Sequence, residues 1–190
     1  MMKKIEQSLI DLFSHSLSDL FPGSGRVGIC TLDDPRDLML GLYLYSIRPC
    51  HDIVPQPLIQ KSSGFREQAP HFLTLYYLLT AYSKAEDAHK TQEEHNILFR
   101  AVETLLNTPV LTERELGFRP GTYIDKLRLM LLDITPDEMT NIQSNRDSPY
   151  KLSVGFSVTP VEISALAGEA VSGTSASDIQ TVQKPHGREL

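Results

Sequence analysis

Two segments of the sequence are apolar at both their odd and their even positions, and this pattern restricts the fold more than any other. In residues 38–48, leucines fill four even positions, while methionine, tyrosine and isoleucine fill odd ones. In residues 71–83, the odd positions from 73 to 81 form an unbroken apolar series, and the aromatic residues and threonines favour a strand over a helix. A strand of this kind is covered on both faces. We therefore expect both segments inside a sheet, with 71–83 as a central strand.

Helical spacing and capping sequences predict helices around these strands. The first 20 residues place apolar side chains on one helical face, and Pro22 ends that helix. One capping box starts at Thr91 and another at Thr135, where a proline also follows at the first helical position. We thus expect a long helix that ends at Asn107 and a short one that ends at Ile142. The stripe of the long helix that faces the core is predicted to consist of His95, Leu98, Val102, Leu105 and Leu106.

Residues 27–32, 123–132 and 150–159 are the remaining predicted strands. The last of them alternates between apolar residues and small or polar ones, which predicts a strand with one side turned to solvent or to a partner. The fold class predicted from these elements is α+β, a mixed and largely antiparallel sheet of about four or five strands with packed helices. Residues 49–70 are expected to form a long loop, because they contain Pro49, Pro55 and Pro57 and then the polar run 61–64.

The composition is that of one folded domain followed by a tail. Apolar residues make up 41% of the 190, which is enough for a single core. Of the last 27 residues, however, 13 are Ala, Ser, Gly or Thr, and none is aromatic. We therefore expect a domain at 1–163 and a tail at 164–190 that is flexible or ordered by a partner.

Charge and hydropathy exclude several classes of partner. A net charge of −6 argues against a nucleic-acid binder, which needs clustered cations. No apolar stretch approaches the ~20 residues that a membrane span requires. Glu6 and Asp11 interrupt any signal-peptide core, so we expect a chain that is made and folded in the cytoplasm. Cys30 and Cys50 lack metal-ligand spacing and are expected to be reduced thiols, with one disulfide between them as the alternative.

Two motifs resemble chemical sites, but their context favours a structural role. Residues 23–28 match G-x-G-x-x-G, yet a predicted helix precedes them and a predicted strand follows, which reverses the order that a dinucleotide site needs. His89 and His95 flank Glu93 and Glu94, but six residues separate the histidines and place them on different sides of a helix. We expect no catalytic residue, no cofactor and no metal site.

The order of elements, together with several local sequences, resembles the cap or tail-terminator proteins of contractile phage-tail-like injection systems. The resemblance covers roughly residues 3–163. Its most specific parts are the start of the long helix and the last strand. The sequences that carry it are LYLYSIR (42–48), LYYLLTAY (75–82), EHNIL (94–98), LLNTPVL (105–111) and SPYKLSVGFSVTPV (148–161).

The resemblance implies a structural protein rather than an enzyme. Such caps form a six-fold ring on the baseplate-distal end of the inner tube and contact the last sheath layer, so that both polymers stop growing. The implied partners are further copies of the chain, the tube protein and the sheath protein, with neither nucleic acid nor membrane. The implied location is the cytoplasm of the producing bacterium during assembly, and afterwards the released particle.

Residues 49–70 and 164–190 are the extended segments of the chain, and we expect them to make contacts with the sheath or between subunits. Two other functions remain open: a nucleotide-binding regulator or enzyme that uses residues 23–28, and an adaptor that anchors the particle to an envelope. The candidate interface residues are His51, Asp52, Phe65, Arg66, Glu67, Val161, Ile163 and Leu166.

Overall fold

A computed structural model describes residues 1–20, 26–53, 58–60, 66–68, 70–143 and 150–163. The chain divides into two units, one of Met1–Pro55 and Pro70–Ser164, the other of Gln56–Ala69 and Ala165–Leu190. The elements are α1 (Met2–Ser16), β1 (Val27–Ile29), β2 (Leu40–Pro49), β3 (Leu58–Gln60), β4 (Arg66–Gln68), β5 (His71–Ala81), α2 (Asp87–Asn107), β6 (Val110–Thr112), α3 (Glu113–Leu116), β7 (Lys126–Leu131), α4 (Pro136–Gln143) and β8 (Ser153–Ile163).

The first unit is built on a six-stranded sheet in the order β1-β2-β5-β8-β7-β6. Strands β1 and β2 are parallel, and every other neighbouring pair is antiparallel. The predicted α+β class and the mixed, largely antiparallel sheet are therefore confirmed, and β5 is a central strand as expected. The sheet has one strand more than the upper estimate, because β6 is only three residues long and too short to show a periodicity.

The larger core lies between one face of the sheet and helices α1 and α2. Helix α1 buries Ile5, Leu9 and Phe13, which confirms the predicted amphipathic helix. The ring of Phe156 in β8 receives the edge of Phe13 at a centroid distance of 6.0 Å and stacks on Tyr77 of β5 at 5.3 Å. Aromatic contacts of this geometry lock the central strands to the first helix.

Helix α2 differs from its prediction at its start and in its orientation. It begins at Asp87, one turn before the expected cap at Thr91, and no side chain caps it. The first helical bonds run from the backbone N–H groups of His89 and Lys90 to the carbonyl of Glu86. The predicted core stripe was partly wrong, since Leu98 and Leu105 are buried while His95 and Leu106 are exposed. The stripe that faces the core is Ile97, Leu98, Ala101 and Leu105.

Helix α4 covers part of the opposite face of the sheet. Its predicted capping box is confirmed: the Glu138 carboxylate accepts the Thr135 N–H at 2.9 Å, and the Glu138 N–H donates to the Thr135 hydroxyl at 3.3 Å. Met139 then packs in a small apolar cluster with Leu32 and Leu78. Because Leu78 precedes Leu79 on β5 and side chains alternate along a strand, this cluster lies on the face away from α1 and α2.

Strand β8 is buried on both sides, so the predicted solvent- or partner-facing side was wrong. The small and hydroxyl side chains of that side lie against neighbouring strands. The Ser153 hydroxyl lies 2.7 Å from that of Thr80, and the Thr159 hydroxyl lies 2.9 Å from that of Thr74. Gly155 has no room for a side chain, because a Cβ there would overlap Ile134. Polar side chains that pair across the sheet satisfy their hydrogen bonds without solvent. A strand with such buried pairs shows the same alternation in its sequence as a strand with one exposed side.

The second unit contains the antiparallel pair β3 and β4. The prediction that residues 49–70 form a loop throughout is therefore wrong, because this segment contains two strands. Ile59 is opposite Glu67 and Gln60 is opposite Arg66 in this pair. The expected tail at 164–190 lies outside the described residues.

Candidate assembly surfaces

One end of the six-stranded sheet carries three of the predicted interface residues. Strands β2 and β8 both run antiparallel to β5, so both end beside its first residues: Pro49 is opposite Leu73, and Ile163 is opposite His71. We call the end formed by residues 49–53, His71 and Ile163 the exit end. His51 and Asp52 are exposed there, and Ile163 is 46% exposed.

The exit end rests on a buried polar cluster. The Cys50 N–H donates to the carbonyl of Phe72 at 2.8 Å, which continues the pairing of β2 and β5 past Pro49. The Cys50 sulfur accepts a hydrogen bond from the Thr159 hydroxyl at 3.4 Å, and Thr74 is bonded to that hydroxyl in turn. Cys50 is thus a buried structural thiol; neither it nor Cys30 forms a disulfide.

A buried carboxylate fixes the loop beside the exit end. Glu162 is only 5% exposed, and its carboxylate accepts the backbone N–H groups of Thr122 at 2.9 Å and Tyr123 at 2.8 Å. Gly121 is required at its position, because a Cβ there would overlap the Glu162 carboxylate. The arrangement presents the ring of Tyr123, 48% exposed, next to the end of β8. Sequence reasoning missed Glu162; its signal is an acidic residue inside an otherwise apolar strand end.

The other predicted interface residues fall into three groups. Val161 is 5% exposed and packs in the main core, so it is not part of a surface of this chain. Arg66 and Glu67 lie in β4, within the second unit. Phe65 and Leu166 lie outside the described residues.

The G-x-G-x-x-G match does not have the surroundings of a nucleotide site. Gly23 and Gly25 lie outside the described residues, and Gly28 lies within β1. Helix α1 precedes this segment and β1 leads to β2, so the helix-then-strand order predicted from the sequence is confirmed. Because a strand and not a helix follows the glycine segment, no helix N-terminus is placed there to bind a pyrophosphate.

Glu93 and Glu94, which lie between two histidines in the sequence, hold the loop that joins β5 to α2. The Ser83 hydroxyl donates to Glu93, and the Ser83 N–H donates to Glu94 at 3.2 Å. Lys151 approaches Glu94 at 3.7 Å from the segment before β8. Within the described part of the chain, no group of three or more histidine, cysteine, aspartate or glutamate side chains is arranged to hold a metal ion.

A cleft of about 310 Å³ lies beside the same loop and is lined by charges of both signs. Lys84 is paired with Asp37 at 2.7 Å and lowers the pKa of that carboxyl. Exposed pairs of this kind contribute little to stability. The charged lining residues are Asp33, Arg36, Lys84, Lys90, Glu94 and Lys151.

A second opening, about 470 Å³, lies on the face of the sheet that carries α4. Tyr45 sits at an irregularity of β2 between Leu44 and Ser46, and such bulges re-aim a side chain. Its ring lies 6.1 Å from that of Tyr76, and burial raises the pKa of the Tyr45 hydroxyl. The Arg48 guanidinium lies 5.3 Å from the Tyr76 ring. The two tyrosines, with α4, thus form a groove that is apolar at its base and charged at its rim.

The fold is that of tube terminators of contractile injection systems. The first similar structure is a PVC sheath/tube terminator of an extracellular contractile injection system in its extended state, with a TM-score of 0.53 and 14% identity over 96% of this chain and 63% of that one. The second is an anti-feeding prophage tube-terminating cap, with a TM-score of 0.55 and 13% identity over 90% of this chain and 59% of that one. This chain therefore spans about three fifths of the length of each.

The chain belongs to the Pvc16 N-terminal domain family, whose sequence profile matches residues 4–174. A comparison with curated protein sequences gives no match. Among the helices of the described ranges, none combines the length and the apolar character that crossing a membrane requires. Family and fold together agree with the resemblance predicted from the sequence.

Proposed function

We propose that this chain terminates the inner tube and sheath of a contractile injection system at the end distal to the baseplate, as a six-fold ring. The observation that carries the proposal is the shared fold: two structures described as terminators match over 90% or more of this chain. Membership in the Pvc16 N-terminal domain family supports it independently, because the family profile rests on sequence. The proposed role is structural and involves no catalysis.

The topology supports the proposed contacts with tube and sheath. Because β2 and β8 end at the same end of the sheet, the segments after Pro49 and after Ile163 both start there. Behind them, the buried Cys50 is bonded to Phe72 and Thr159, which ties the ends of β2, β5 and β8 together and provides an ordered base for contacts at the exit end. We propose that the sheath or a neighbouring subunit binds this end, through His51, Asp52 and Ile163.

The proposed function also extends to the second unit, the tail, the partners and the place of assembly. Arg66 and Glu67, together with Phe65 and Leu166, are proposed contact residues of the second unit and the tail. Residues 1–163 form the terminator domain, and 164–190 order on a partner. The partners are copies of the chain, the tube protein and the sheath protein. Assembly takes place in the cytoplasm of the producing bacterium, and the chain leaves with the released particle.

The test of this function is the length of the particle. A strain without the chain should produce tubes and sheaths of broad, uncontrolled length, because nothing occupies the last layer; electron microscopy of negatively stained particles measures this directly. Supplying the full chain should restore a narrow distribution. Uniform particles of normal length in the deletion strain would disprove termination by this chain.

A matched pair of variants then tests the exit end. Ile163→Asp places a charge on the proposed contact, and Ile29→Asp places one on β1, where the side chain is similarly exposed at 39% against 46%. We expect length control to fail with the first and to persist with the second. Equal behaviour of the two variants would remove the exit end from the proposal.

A further inference from the structure

We draw no further inference here: the strongest candidate, the apolar surface patch on α2 around the exposed side chains of Phe99 and Leu106, carries none because nothing in the described residues shows what covers it.

Discussion

The buried carboxylate of Glu162 offers a sharp test of how the exit end is built. It accepts two backbone N–H groups, from Thr122 and Tyr123, at 2.9 and 2.8 Å. In Glu162→Gln, the single amide oxygen can accept one of these groups, and the amide NH₂ then faces the other N–H. A hydrogen bond to a charged group is worth ~1.5–3 kcal/mol, so the free energy of unfolding should fall by about that amount.

Two assays measure this loss. Urea unfolding of the full chain gives the change in free energy, and the melting temperature should fall by roughly 3–12 °C for a chain of this size. Hydrogen exchange adds a local readout, because the Thr122 and Tyr123 amides should lose protection while the amides of β5 retain it. An effect confined to this loop would show that the carboxylate acts through these two bonds.

The control is Glu86→Gln, which neutralises an exposed carboxylate that caps no backbone group at the start of α2. Its effect should stay below about 1 kcal/mol. If Glu162→Gln were as stable as this control, with unchanged exchange at Thr122 and Tyr123, the assignment of Glu162 as the anchor of the loop would be refuted.

Three further substitutions test the packing and the caps. Tyr77→Phe should leave the free energy of unfolding unchanged or raise it by up to ~2 kcal/mol, because the buried hydroxyl has no hydrogen-bond partner among the described residues; a loss in urea unfolding would reveal a partner. Hydrogen bonds from Thr135 lower the pKa of Glu138 below its ordinary 4.5, so this cap stabilises fully above that pH and its contribution is lost as the pH falls through the lowered pKa. The stability difference between wild type and Glu138→Gln should therefore shrink on acidification. A difference that is constant from pH 7 to 3 would contradict this. Gly155→Ala should lower the free energy of unfolding by ~1–3 kcal/mol, because its Cβ overlaps the end of the Ile134 side chain. Adding Ile134→Val to the same chain should recover part of that loss, as measured by urea unfolding. No recovery would show that the strain lies elsewhere.

The elements that the sequence predicted well are those with long, regular patterns. The apolar series of β5, which continues over both faces, predicts a central strand, and the alternation of β8 predicts a strand. Strand β6 and helix α3 were missed, since three and four residues are too few for a period to appear. Helix α3 nevertheless has a capping box, in which Thr112 and Glu115 bond each other's backbone, and that sequence signal was available.

Two errors had a common physical origin, because burial is decided by partners that are distant in sequence. The alternation of β8 predicts an open side that includes Thr159, but the Thr159 hydroxyl is bonded to Thr74 and Cys50, which are 85 and 109 positions away in the sequence. In α2, the choice between the stripe of Leu98 and that of Leu106 depends on where the sheet and α1 lie. Of the candidate interface, His51, Asp52 and Ile163 came together at the exit end because β2 and β8 run in the same direction, which strand order alone does not reveal.

The form of the sheet edges bears on how a terminator avoids extending what it binds. The two edge strands of the six-stranded sheet, β1 and β6, are three residues each, and β6 passes directly into the capped helix α3. Short edges offer few free backbone groups, so they are poor templates for the addition of another strand. A subunit that joins its neighbours through side chains could close the proposed ring without presenting a strand edge to a further layer. Replacing the capping Thr112 and the start of α3 with strand-forming residues would lengthen β6. We expect such a variant to aggregate instead of forming the proposed ring, which light scattering of the isolated chain would detect. A variant that stays as dispersed as the wild type would contradict a protective role of the short edge strands.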